Sequence, residues 1–219
     1  MIVFKYSTKS HKKLHDYVYE NCQGFIASDL DYHIPLLNDK KYIGLIANPI
    51  NTKKLQFNSQ KNDDKIVIFL GINTGNYYQK GIDYFEKALA IIEEKYLEKV
   101  EIIIAKNIPY TDYINLYNKS HILLDQIFSN DQGYNALEAM AKGKVVFTGA
   151  GIEFQEFYDF KEKVAINAIP EVDYLVKELS FLIENPEQIE IIAENARLFV
   201  EKEHNYIKIA QKYIDKWTF

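Results

Sequence analysis

From Lys65 onward one pattern repeats along the chain: a short apolar run, then a longer segment with apolar residues at every third or fourth position. The runs are 65–71 (KIVIFLG), 100–105 (VEIIIA), 121–127 (HILLDQI), 144–149 (KVVFTG) and 163–168 (KVAINA). The periodic segments between them are 81–96, 111–119, 133–142 and a short one at 153–158. Runs this short and this continuously apolar read as strands covered on both faces, which requires a parallel sheet with crossover helices. Such crossovers are right-handed, so the pattern predicts an α/β fold: a Rossmann-like, doubly wound parallel sheet with its ligand crevice at the carboxyl ends of the strands.

The flanking regions read differently. After Ala168 the pattern is helical, with Pro170 opening 171–184, a break at Asn185-Pro186, and further helices over 187–202 and 204–217 expected on the flank of the sheet. Ahead of Lys65 the sequence predicts a helix over 11–21, a strand at 24–28 and a second extended run at 42–47. The polar stretch 51–64 (NTKKLQFNSQKNDD) reads as a linker.

Composition excludes several classes. A chain of 219 residues, 47% of them hydrophobic, buries roughly 70% of its extended surface and has a full core. It has no run of about 18 uncharged apolar residues, and its first residues lack the apolar stretch of a signal peptide. Cys22 is the only cysteine, so no internal disulfide or cysteine zinc site forms, and a cytoplasmic setting is expected. The formal charge of -5 argues against nucleic acid as a partner. Arg197 is the only arginine, so an anion must be held by lysine and backbone amides. His11 and His15 stand four apart without a third ligand in the sequence nearby, and no metal is expected.

Two loops carry the candidate chemistry. The first follows the opening run, from Gly71 through Asn73 to Lys80-Gly81. Small and polar residues at a strand's carboxyl end, closing on a lysine, can place amides and one ammonium beside a phosphate, although neither the dinucleotide nor the Walker pattern is present. The ordinary reading is a βα loop with a solvated lysine. The second runs from Asn130 and Asp131 through Gly133, Tyr134, Asn135 and Ala136 to Glu138. Asp131 or Asn130 is placed to cap the helix, and Gly133 leaves its first amides uncovered for a diphosphate at the positive dipole end. Glu138 sits on a stretch otherwise of Ala, Leu and Met. Its two oxygens match a vicinal diol such as ribose; the alternative is a surface pair with Lys142 at i+4, worth about 0.3 to 0.5 kcal/mol.

The run KIVIFLGIN…YYQKGIDYFEKAL, and more specifically DQGYNALEAMAKGKVVFTG, resembles the C-terminal, donor-binding domain of GT-B-fold glycosyltransferases of the glycogen synthase-like group. The resemblance implies a hexosyltransferase acting on a nucleoside diphosphate sugar, with no cofactor beyond that donor. It implies that Lys80 and the amides of Gly133, Tyr134, Asn135 and Ala136 contact the diphosphate. Glu138 would hold the ribose, Lys106 and Ile108 would lie near the base, and Gly71, Asn73, Asn130 and Asp131 near the sugar or its loop. Residues 1–60 would be a remnant of the acceptor-side domain plus linker, and 61–219 the donor domain. The implied acceptor is a saccharide, free or lipid-linked, in surface polysaccharide synthesis, with an acceptor-domain subunit or a second copy as partner and contact with the inner membrane face through the helix at 204–217. The alternative is a non-catalytic nucleotide-sugar-binding module working with a partner subunit.

The sequence departs from the family pattern in three places. Asn130 stands where a second glutamate is usual, no arginine precedes Lys80 within 72–79, and Lys144 replaces a proline at what reads as a strand entrance.

Overall fold

The computed structural model describes residues 8–58 and 65–217; the first seven residues, part of the expected linker (59–64) and the last two residues lie outside it. In chain order the leading segment forms α1 (Lys9–Asn21), β1 (Phe25–Ala27), α2 (Leu30–Leu36) and β2 (Tyr42–Leu45). The main unit follows as β3 (Ile66–Ile72), α3 (Ile82–Tyr96), β4 (Val100–Lys106), α4 (Tyr110–Lys119), β5 (Ile122–Leu124), α5 (Tyr134–Ala141), β6 (Val145–Thr148), α6 (Ile152–Tyr158) and β7 (Ile166–Asn167). Helices α7 (Val172–Glu184), α8 (Pro186–Glu203) and α9 (Tyr206–Trp217) close the chain.

All five expected strands form one parallel sheet in the order β4-β3-β5-β6-β7. Alternation along β3 divides the core between the two faces. Ile68 and Leu70 pack with Phe85 and Leu89 of α3 and with Leu175 and Leu179 of α7. Phe69 packs on the other face with Leu123, Val146, Met140 of α5 and Phe199 of α8. Helices lie on both faces, as the doubly wound reading requires. Strand β7 is only two residues long, shorter than the apolar run at 163–168 suggests.

Helix α2 is absent from the sequence reading. Its seven residues include Pro35, which argues against a helix by propensity. It forms because Asp29 accepts from the Tyr32 amide and because Leu30, 1% exposed, packs into the core of the main unit. The expected linker is also anchored over its first residues. Leu55 packs against the core, and the Arg197 guanidinium donates to the carbonyls of Thr52, Leu55 and Ala141.

Lys144 is more than a tolerated replacement at the mouth of β6. It is 2% exposed, and its Nζ donates to the carbonyls of Asn118 (3.0 Å) and Ser120 (2.5 Å), closing the carboxyl end of α4. Burial, with Lys142 nearby, pushes this ammonium down to about 7.

Candidate functional site

Strand order reverses between β3 and β5, because the chain steps from β3 out to β4 and then returns past β3. A doubly wound sheet opens its crevice at such a point. A cavity of about 360 Å³ lies there, lined by Gly71, Asn73, Lys80, Ile108 and Asn135 among the expected residues, and also by Asn76, Asn107 and Tyr113. Lys106 is exposed and does not line it, so of the two expected base contacts only Ile108 reaches the cavity. Gly71 is required by close approach: a Cβ there would stand 2.5 Å from the Tyr113 ring.

Lys80 is not the isolated ammonium that its loop suggests. Its Nζ lies 2.8 Å from Asp125 Oδ1, and Asp125 has a side chain only 2% exposed. The same oxygen accepts from Asn135 Nδ2 at 2.9 Å, while Tyr113 donates to Asn135 Oδ1 at 3.1 Å. One chain of contacts therefore joins β5, α3's entry loop, α4 and α5. Burial, followed by the Asp125 carboxylate, pushes the Tyr113 hydroxyl up to about 12. Asp125 is the buried partner of Lys80 and Asn135 that the sequence reading missed. The available signal was a lone carboxylate inside the apolar run HILLDQI, which only a buried counter-charge makes tolerable.

The amino end of α5 is uncapped. Gly133 holds the N-cap position with no side-chain cap, and the first intrahelical bond runs from the Leu137 amide to the Gly133 carbonyl. Nothing lies within 4 Å of where a Gly133 Cβ would stand, so the space on that side of the N-cap is open. The amides of Tyr134, Asn135 and Ala136 precede that first bond and face the positive end of the helix dipole. Glu138 is half-buried one turn further in. The alternative Lys142 pair does not form, since Lys142 Nζ donates to Asn118 Oδ1 at 2.9 Å. The Glu138 charge is felt at Lys142, where it opposes the lowering by burial, and at Tyr117, whose hydroxyl is pushed up by burial first and by Glu138 second.

Neither expected cap serves α5. Asp131 accepts from the amides of Gln132 (2.8 Å) and Leu30 (3.2 Å) and from the Tyr158 hydroxyl (3.3 Å), so it closes the start of α2 instead. Asn130 turns toward Asp31. Of the other groups the sequence drew attention to, His11 bonds Thr8 and His15 stacks on Tyr19. His121 accepts from the Val67 amide, and Tyr77 donates to Glu86. Among the described residues no group of three or more His, Cys, Asp or Glu side chains is placed to hold a metal, and no helix is long and apolar enough to cross a membrane.

Burial holds the Asp131 carboxyl up to about 7, against the three hydrogen bonds that favour its charge. The folded state therefore binds this proton more tightly than the unfolded chain, whose carboxyl titrates near 3.9. The stability tied to Asp131 is present below about pH 4 and is lost as pH rises toward 7. His204, pushed down to about 4 by burial, acts in the opposite sense over the same range. The difference between wild type and Asp131→Asn isolates the carboxyl. In urea titrations, wild type is expected to lose a few kcal/mol relative to this variant between pH 4.5 and pH 7.5, at about 1.4 kcal/mol per pH unit at most. Parallel pH profiles would refute a buried, proton-binding Asp131.

The family model described as "Glycosyl transferase-like" matches residues 77–215. A comparison with curated protein sequences finds no match. Among solved structures, sucrose-phosphate synthase from Thermosynechococcus elongatus is similar at 16% identity and a TM-score of 0.72, over 99% of this chain and 63% of that one. Anabaena HepE in complex with UDP and glucose matches at 13% identity and a TM-score of 0.68, over 97% and 68%. The C-terminal domain of the Francisella tularensis group 1 glycosyl transferase LpcC matches at 19% identity and a TM-score of 0.51, over 71% of this chain and 98% of that domain. The chain spans less than two thirds of sucrose-phosphate synthase and about half of S. aureus TarM. At these identities the likeness shows the fold, the Rossmann-like half of a GT-B architecture, while the family match rests on sequence across well over half of the chain. With an open helix end and a lysine at the reversal point of a parallel sheet, and with that match over the same residues, the chain belongs to the glycosyl transferase-like family.

Proposed function

We propose that this chain is the donor-binding half of a glycosyltransferase that moves a hexosyl group from a nucleoside diphosphate sugar to a saccharide acceptor in surface polysaccharide synthesis. The observation that carries this reading is the uncapped amino end of α5 beside Lys80 at the mouth of the cavity. The amides of Gly133, Tyr134, Asn135 and Ala136 hold the diphosphate, and Lys80, oriented by Asp125, adds one ammonium. In the transfer step the same donors stabilise charge that develops on the departing nucleoside diphosphate. Gly71, Asn73 and Ile108 line the cavity that receives the rest of the donor. That HepE is described with UDP and glucose, and TarM with UDP, supports a donor of this class.

Residues 1–60 are read as the acceptor-side remnant and linker, and 61–219 as the donor domain. Acceptor groups then come from chain beyond this sequence or from a partner subunit, a reading supported by the match to a GtfA/B complex. Glu138, half-buried and with the Lys142 ammonium bonded to Asn118, is assigned to the ribose hydroxyls. Glu138→Ala is expected to weaken UDP and GDP binding by about 1 to 3 kcal/mol in calorimetry, since two diol hydrogen bonds to a charged group are lost. An unchanged affinity would remove the ribose assignment. A donor-hydrolysis assay on the same protein then separates a catalytic half from a module that binds without turnover.

A further inference from the structure

We propose that Asp31 is a positioning residue for the donor seat, through which the leading segment holds the loop that carries the chain into α5. The proposal rests on the reading of the amino end of α5 as a diphosphate seat. Asp31 Oδ1 accepts from the backbone amide of Asn130 at 2.7 Å and from Asn130 Nδ2 at 3.0 Å. Its Oδ2 accepts from Ser129 Oγ at 2.6 Å. All three donors belong to two adjacent loop residues almost a hundred positions away along the chain. Hydrogen bonds to a carboxylate are roughly twice as strong as neutral ones, and Asp131 adds a second link between this loop and the leading segment through the Leu30 amide.

The opposite side is closed by backbone. A Cβ on Gly149 would stand 2.4 Å from the Ser129 carbonyl oxygen and 2.5 Å from the Asp131 amide, so the exit of β6 supports the loop directly. Only Asp131 and Gln132 separate Asn130 from the N-cap Gly133. A loop gripped from both sides and this short transmits a shift at Asn130 to the first amides of α5. The grip also gathers like charge. Asp29 caps α2, Asp131 accepts from the Leu30 amide, and Asp31 lies in the first turn of the same helix. The Asp29 carboxyl is raised by burial and further by the Asp31 charge. Asp31 therefore stands in a crowded acidic corner because the loop supplies its donors, and neutralising it releases the loop rather than a surface contact.

The test is UDP calorimetry on the full chain, with hydrogen exchange at residues 129–131 as the second readout. UDP lacks the sugar, so direct sugar contacts of Asn130 do not enter. Asp31→Asn is expected to weaken UDP binding about tenfold and to raise exchange in the loop, with the thermal midpoint lowered by only a few degrees. Asn130→Asp, which sets two carboxylates against each other, is expected to weaken binding at least as much. Wild-type affinity in both single variants overturns the proposal. If D31N does not fold, N130D decides alone: wild-type affinity and unchanged loop exchange in it count against the proposal. Failure of wild type itself to bind UDP removes the underlying reading of the seat, and that outcome is visible before any variant is made.

Discussion

Substitution of Lys80 with alanine is expected to destabilise the protein by about 3 kcal/mol and to reduce UDP binding at least tenfold. The stability loss follows from Asp125. Its side chain is 2% exposed, and without Lys80 it keeps a bond only from Asn135 Nδ2 among the contacts described above. A buried carboxylate stripped of its cation carries most of its desolvation cost, which places the effect at the lower end of the usual 3–5 kcal/mol because Lys80 itself is 26% exposed. Asp125→Asn is expected to cost less, about 1–2 kcal/mol, since Lys80 can turn to solvent and the amide still reaches Asn135. The double variant K80A/D125N should therefore be more stable than K80A alone. Urea denaturation of the three proteins checks the order. Equal stability of K80A and D125N would show that the pair does not bear on the fold.

The second large effect is expected at Arg197. Its guanidinium donates to Leu55 O and Ala141 O, both at 2.6 Å, and to Thr52 O at 3.0 Å, while Nε pairs with Glu201 at 2.6 Å. One planar fork thus fastens the segment after β2, the end of α5 and helix α8. Arg197→Ala is expected to cost about 3 kcal/mol, because three carbonyls lose a charged donor and the segment from Thr52 to Leu55 loses its anchor. Arg197→Lys should recover less than half, since a single ammonium cannot span carbonyls on two segments. Hydrogen exchange at residues 52–55 gives the local readout, with faster exchange expected in both variants. A loss below about 1 kcal/mol in R197A would mean that solvent replaces these bonds at little cost.

Much of the main unit was legible before any coordinates. Continuous apolar runs such as 65–71 and 100–105 became β3 and β4 within a residue or two, because short apolar runs between helical periods leave a local signal, although β4, at the sheet's edge, is only partly covered. The helical periods between them became α3 to α6 for the same reason. Lys80, Gly133 and Glu138 stood out by their places in a loop or helix next to those elements, and Asn135 through the family resemblance. The misreadings share a different origin. Helix α2 has seven residues and an internal proline, and it depends on a contact from Leu30 into the main core. Asp131 looked like a cap for the helix that follows it, yet it serves α2, whose first amide is about a hundred residues upstream. Asp125 carried no local mark of its partnership with Lys80, which lies 45 positions earlier.

By itself, then, the sequence determined the alternation of strand and helix, the parallel sheet that follows from it, and the open glycine at the head of α5, all of which depend on neighbours within a few residues. The tertiary structure alone decided which charges meet: Lys80 with Asp125, Asp31 with Asn130, Arg197 with three carbonyls. The physical reason is range. Periodicity and capping act over a single turn or a strand's pleat, whereas a buried charge is satisfied by whatever group the fold brings within about 3 Å, and sequence spacing carries no record of that distance.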